Sequence, residues 1–131
     1  MNENIHLKLK TELLVKDLPQ LDIVHYIKED HHDLIPQLYA LGFNDEAWKK
    51  NWDDIKEFDS NGVFLAKSVE IYMGFIISYE KDNCGHISVL TILPQYRGKK
   101  YSLVLIRKAI DYLRAKGLYE ITINVEPENL F

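Results

Sequence analysis

Excess positive charge is missing from this chain: 16 Lys and Arg stand against 20 Asp and Glu, a net charge of −4. Gripping a nucleic-acid backbone or an anionic membrane surface takes a surplus of cations, so neither class of partner is expected. Cysteine is nearly absent too. Cys84 stands alone, which excludes an internal disulfide, leaves no thiol cluster for zinc and suits a reducing compartment. No apolar run approaches the roughly 18 residues of a membrane span, and Met1 to Lys10 lacks the basic start and apolar centre of a secretion signal. A soluble cytoplasmic protein is the expectation. Repeats, low-complexity tracts and Gly/Ser linkers are lacking as well. At 131 residues, one domain is expected over 1–131, with residues 1–20 an N-terminal arm or extra strand.

What is present is a change of hydrophobic period along the chain. Leu7 to Val15 alternates weakly and reads as a short strand or an extended arm. Leu21 to Ile27 is apolar enough for a strand, closed by the polar run Lys28 to Asp33. Leu34, Ile35, Leu38, Tyr39 and Leu41 recur at helical spacing up to Gly42, a usual helix end. Asn44 or Asp45 can cap a second helix, striped by Trp48, Trp52 and Ile55. After Asn61-Gly62 the period becomes two. Val63 to Val69 and Tyr72 to Tyr79 read as adjacent antiparallel strands, with a turn at Lys81 to Gly85. Ile87 to Leu93, rich in β-branched and aliphatic residues, reads as a central buried strand. A helix from Lys100 to Lys116 follows, with Leu103, Ile106, Ile110 and Leu113 on one face and Gly117 at its end. Leu118 to Val125 then makes a strand parallel to Ile87–Leu93 through a right-handed crossover. The fold class is mixed α/β (α+β), an antiparallel meander followed by a β-α-β parallel pair.

Charge is unevenly spread over this pattern. Residues 94 to 117 carry seven cationic side chains against Asp111 alone, net +6, which leaves −10 for the rest of a chain whose total is −4. The cations Arg97, Lys99 and Lys100 cluster around Gly98, where a buried strand turns into a helix. The first turn of a helix leaves about four N–H groups without partners, in positive potential from the helix dipole. Such a turn is a natural phosphate cradle. Gly98 lets backbone approach an anion, the cations attract it, and Ser102 adds a hydroxyl donor. A solvated basic turn is the plain alternative. Neither the dinucleotide pattern of three glycines nor the nucleoside-triphosphate loop is present.

The run Ile92-Leu93-Pro94-Gln95-Tyr96-Arg97-Gly98-Lys99-Lys100-Tyr101-Ser102-Leu103 resembles motif A of the GNAT superfamily of N-acetyltransferases, Gln/Arg-x-x-Gly-x-Gly/Ala. Gln95 and Gly98 match. Lys100 stands where the second glycine is commonest, and Ser102 where another often follows. A non-glycine residue with helical dihedrals would still present its N–H there. The element order resembles the same family through its fifth core strand, over about residues 21 to 131. The resemblance implies acetyl-CoA as co-substrate. Ile92 and Leu93 would face pantetheine, the amides from Gly98 through Lys99, Lys100, Tyr101 and Ser102 to Leu103 would face pyrophosphate, and Asn129 matches an asparagine that touches the cofactor. The implied chemistry is direct attack of a primary amine, on a small molecule or peptide, upon the thioester. It needs a base for the amine and an acid for the leaving thiolate. Cys84 is not needed as a nucleophile.

His86 lies where some members of that family place a carboxylate base, and a free imidazole titrates near 6.5. A structural or exposed strand-start histidine is the plain reading. Glu80 and Glu126, near strand ends, are alternatives. The family's usual general acid, a Tyr in the next helix, would lie beyond Phe131. The sequence stops at EPENLF, about 30 residues short of the family's usual length. The last strand would then show an open edge. Truncation, homodimerisation or segment exchange, and cover by Leu7 to Val15 are the three resolutions. A non-catalytic CoA-binding or interaction module is the alternative function. A third class, a phosphate-binding protein unrelated to CoA, would bind nucleotides without needing pantetheine.

The remaining constellations point to structure. His31-His32 with Asp30 and Asp33 reads as a solvated helix start, with no metal site expected. His6 and His25 have no evident partner. Trp48 and Trp52 read as core. The acidic Asp45, Glu46, Asp53, Asp54, Glu57 and Asp59 read as a solvated face, or as a lure for a cationic amine.

Overall fold

The computed structural model describes residues 5–7, 19–43 and 59–125. The expected second helix, with Trp48 and Trp52, lies outside them, as do most of Leu7 to Val15, Glu126 and Asn129. Nine elements follow in chain order: β1 (Ile5–Leu7), β2 (Asp22–His25), α1 (Lys28–His31), α2 (Leu34–Phe43), β3 (Val63–Ser68), β4 (Ile71–Lys81), β5 (Cys84–Ile92), α3 (Tyr101–Ala115) and β6 (Ile121–Val125). The strands form one sheet in the order β1-β6-β5-β4-β3-β2. Among the described residues only the β5–β6 pairing is parallel. α3 is therefore the crossover that the spacing predicts.

Period-two alternation sends side chains to opposite faces of the sheet. One face packs Phe64, Ala66, Ile76, Ile87, Leu90, Ile121 and Ile123 against α3. The other packs Val63, Leu65, Phe75 and Ile77 against Ile35 and Leu38 of α2. α3 buries Ser102, Leu105, Ile106, Ala109, Ile110 and Leu113, an i, i+3, i+4 stripe that Leu105 and Ala109 make wider than expected, while Leu103 is only half-buried. Pro36 sits in the first turn of α2, where its missing N–H breaks no intrahelical bond. α2 lies close on β5: a Cβ on Gly42 would stand 1.9 Å from the Thr91 hydroxyl oxygen, so only glycine fits.

Four expectations change. Lys28 to Asp33 is not merely a polar stop, because Lys28–His31 forms α1. His31 is not solvated: it is 2% exposed, its Nδ1 accepts the Ile27 N–H at 2.8 Å and its Nε2 lies 3.2 Å from the Tyr72 hydroxyl. A polar string reads as surface, but a backbone donor and a phenol satisfy both ring nitrogens and make burial affordable. β4 runs on to Lys81, and the hairpin turns on Asp82 and Asn83 at φ 55° and 62°, left-handed values that these two residue types tolerate. The β6 edge is covered from the N-terminal side by Ile5–Leu7, whose register is Ile5 on Val125, His6 on Asn124 and Leu7 on Ile123. The covering strand thus lies ahead of the expected Leu7–Val15. Among the described residues no helix is long and apolar enough to cross a membrane.

Candidate functional site

The parallel pair separates soon after it forms. β5 and β6 pair at Gly85 with Ile121, His86 with Thr122 and Ile87 with Ile123, and among the described residues the pairing stops there. β5 continues to Ile92 along β4, with a bulge between Ile87 and Val89. The bulge re-aims the strand: Ile87 and Leu90, three apart, both face α3, while Val89 packs on the α2 side. Leu93 donates its N–H to the Met73 carbonyl at 2.8 Å, which sets the phase of the β4 ladder. By antiparallel alternation the N–H and C=O of Leu90 then point away from β4, into the gap that β6 leaves. The side chains of Ile92 and Leu93 are buried in the two cores, and the Leu93 N–H and C=O and the Ile92 C=O already bond within the chain, so the side chains expected beside pantetheine do not face the gap.

At the top of that gap stands the turn. Pro94–Tyr96 makes one 3-10 turn, Gly98 has φ 82°, Lys100 has φ 66° and ψ 17°, and α3 starts at Tyr101 without a side-chain cap. Lys100 is left-handed rather than helical, which gives a physical reason for glycine being commonest at this motif position. Gly98, Lys99 and Lys100 are exposed, and a Cβ added to Gly98 would meet no atom within 4 Å. Open space therefore adjoins the start of α3, whose first-turn amides point toward it. The Leu103 amide bonds the Lys100 carbonyl at 3.2 Å. Ser102 is buried at 2% exposure, beneath the turn rather than on its rim.

Arg97 does something the sequence did not suggest. Its Nε donates to the Ile92 carbonyl at 2.8 Å, and its NH2 group donates to the Gly42 carbonyl at 2.6 Å. One guanidinium thus ties the end of β5 to the C-terminal turn of α2, where a cation also suits the helix dipole. It holds the turn in place; the exposed charges beside Gly98 are those of Lys99 and Lys100.

The expected bases fall in different places. Glu80 pairs with Lys116 at 3.5 Å, beyond the C-terminus of α3. That is a helix length, about 22 Å, from the turn. His86 sits one rung before the pairing ends, half-buried, stacked on Tyr79 with ring centres 5.4 Å apart. Its Nδ1 lies 2.8 Å from the Thr122 hydroxyl oxygen and its Nε2 lies 3.3 Å from the Lys81 carbonyl. A carbonyl can only accept, so the proton is assigned to Nε2, and Nδ1 accepts from Thr122. Thr122 was not singled out by sequence; its only signal was its parity with the apolar Ile121 and Ile123.

Tyr112 on α3 is a half-buried phenol held by an acidic partner. Burial first, then its hydrogen bond to Asp59 and the charges of Asp59 and Glu80, push its pKa far above the usual phenol value. Lys116 adds a contact to Asp59 at 3.7 Å and lies over the Tyr112 ring. The group buttresses α3 and does not face the gap. Clefts of about 220 Å³ beside His25, Phe64 and Lys108, and about 270 Å³ beside Leu21, Lys67 and Val69, lie toward the β2–β3 edge, away from β6.

The sequence profile of the Acetyltransferase (GNAT) family matches residues 25–131. The chain belongs to this family. Solved GNAT-type structures share the fold at low identity. A GCN5-related N-acetyltransferase from Sphaerobacter thermophilus superposes at TM-score 0.71, with 13% identity over 94% of this chain and 41% of that one. This chain thus spans about two-fifths of that protein's length. The PaiA N-acetyltransferase of Thermoplasma acidophilum, in complex with coenzyme A, gives TM-score 0.64 and 20% identity over 85% of this chain and 82% of its own. A GNAT family acetyltransferase from Brucella melitensis in complex with acetyl-CoA gives 0.63 and 16%, over 79% and 75%. A search of curated proteins finds no match. In this GNAT domain the opened β5–β6 pair and the Gly98 turn are contiguous, and the expected motif A run is the segment that joins them.

Proposed function

We propose that the chain is an acetyl-CoA-dependent N-acetyltransferase that moves an acetyl group to a primary amine of a small molecule or peptide, working in the cytoplasm. The observation that carries this reading is the gap beside β5 leading into an open, cationic, glycine-bearing turn at a helix N-terminus. The residues fit such a ligand. Exposed Lys99 and Lys100 and the first amides of α3 suit a diphosphate, and the outward N–H and C=O of Leu90 suit an amide-bearing arm. The bound thioester supplies the activated acetyl group; the protein orients it, excludes water and accepts the amine's proton. Solved relatives named as complexes with coenzyme A or acetyl-CoA support the same choice of ligand.

Isothermal calorimetry of the full chain with coenzyme A set against adenosine diphosphate tests the site. Coenzyme A should bind at least tenfold more tightly, because only it fills the gap as well as the turn. Equal affinities would leave a phosphate site unrelated to acetyl transfer. Transfer to a panel of primary amines, followed by release of free thiol, then tests the reaction. A second reading, a non-catalytic CoA-binding module, is favoured by the full hydrogen-bonding of both His86 ring nitrogens. Tight coenzyme A binding without any amine-dependent thiol release would select it. The edge that suggested a homodimer is met at Ile123 to Val125 by β1.

A further inference from the structure

His86 and Thr122 occupy matching positions on neighbouring parallel strands, on the rung just before those strands part. Their neighbours Ile87, Ile121 and Ile123 all pack toward α3, so alternation puts both side chains on the opposite face, with Tyr79 of β4. From Ile87 to Ile92 the open edge of β5 runs for roughly 15 Å, five steps of strand. An extended pantetheine arm held at the Gly98 turn would have its thioester at the foot of this gap, beside the His86–Thr122 rung.

We infer that Thr122 and His86 form a proton relay for the acceptor amine, with the threonine hydroxyl as the group that meets the substrate. This rests on the acetyltransferase reading above. The hydroxyl already donates to Nδ1 at 2.8 Å, so its oxygen retains lone pairs for an ammonium N–H. When the ammonium gives a proton to Oγ1, the hydroxyl passes its own proton to Nδ1. One proton moves from substrate to imidazole and the threonine is unchanged. The freed amine bonds the thioester carbonyl carbon, the carbon–sulfur bond breaks, and the thiolate and the acylated nitrogen exchange their remaining protons with solvent. The Lys81 carbonyl, 3.3 Å from Nε2, and the Tyr79 ring stacked on His86 hold the imidazole in its orientation. The arrangement follows the logic of a hydroxyl paired to a histidine that a third group orients.

Other ionisable groups face the pair along the same side of the sheet. Cys84 of β5 and Glu120, just ahead of β6, meet two residues lower, sulfur to carboxylate at 3.6 Å, and Lys81 of β4 lies opposite Cys84. Tyr79 completes the set among the described residues. Glu120 carries a carboxylate on the same side of the sheet, and the test must separate any effect of that charge from the relay.

The experiment uses the full chain and compares Thr122→Val, Thr122→Ser, His86→Gln and Glu120→Gln. Acetyl-amine formation is followed across pH, with coenzyme A affinity measured by calorimetry and the His86 tautomer by nitrogen-15 NMR. Thr122→Val should lower kcat at least tenfold, and His86→Gln about a hundredfold or more, within the range for general acid–base catalysis. Coenzyme A affinity should hold within twofold in both. Thr122→Ser should retain most of the rate, and Glu120→Gln should shift the acidic limb of the pH profile without abolishing it. His86→Gln should remove that limb. The wild-type ring should carry its proton on Nε2. Thr122→Val within twofold of wild type, Thr122→Ser as impaired as Thr122→Val, or a proton found on Nδ1 would overturn the relay. A wild-type chain that fails to bind coenzyme A would sink the underlying reading instead.

Discussion

Lys100 carries backbone strain at the site itself. At φ 66° an L-residue costs roughly 1–2 kcal/mol relative to the right-handed region, and glycine pays little of this. Lys100→Gly should therefore raise stability by about 0.5–1 kcal/mol, after the entropy glycine adds to the unfolded chain. Chemical denaturation checks it; an unchanged or lower midpoint with an unchanged slope would mean that the lysine side chain makes up the strain. Arg97 gives the opposite case. Because its guanidinium satisfies the Ile92 and Gly42 carbonyls, Arg97→Ala should cost about 2 kcal/mol of stability. Arg97→Lys should recover little, since a point charge cannot reproduce two directed bonds. Were Arg97 mainly an electrostatic lure for a diphosphate, stability would hold and only ligand affinity would fall. The sequence made Arg97 look like a member of one cationic cluster with Lys99 and Lys100. Its partner at Gly42 lies 55 residues away, which no local pattern reveals.

Elements were legible where hydrophobic period and turn chemistry agree. β3, β4, β5 and α3 follow their alternation or their i, i+3, i+4 stripes to within a few residues. Failures came where polar sequence is satisfied by tertiary contact. α1 contains Lys28, Glu29, Asp30 and His31, and only the Ile27 amide and the Tyr72 hydroxyl make its histidine a buried residue. The foot of the β5–β6 gap was half legible: His86 stood out by chemistry, whereas Thr122 acquires a role only when the strands pair. α3 has a titrating support of its own. Above the ordinary phenol value of 10.0 the unfolded chain releases the Tyr112 proton while the folded chain keeps it. The unfolded state then binds fewer protons, so stability falls as pH rises from that value. Thermal denaturation at pH 9 and pH 11 should show this loss, and Tyr112→Phe should reduce it. An equal loss in both proteins would assign the alkaline sensitivity elsewhere.

Across the whole molecule, the sheet is closed on its β6 side by three residues far from β6 in sequence. Ile5–Leu7 is too short to be a strand by itself, and its alternation carries almost no signal; it exists because β6 offers a row of donors and acceptors. The same row would accept a strand from a second copy. Coenzyme A and a sheet partner make different demands on β6: the cofactor reading needs its β5-facing side open beyond Ile123, and the edge reading needs its outer side filled. β1 meets the second demand without touching the first. Removing residues 1–8 should therefore leave coenzyme A affinity within about threefold, lower the melting temperature by several degrees, and produce concentration-dependent association through the bared edge. A loss of about 1 kcal/mol shifts a domain of this size by roughly 3–6 °C. Sedimentation velocity over a tenfold concentration range reads the association. An unchanged sedimentation coefficient with an unchanged melting temperature would mean that β1 contributes nothing to the sheet. Loss of coenzyme A binding in the shortened chain would mean instead that the outer and inner sides of β6 are coupled, so that pairing by β1 sets the opening beside β5.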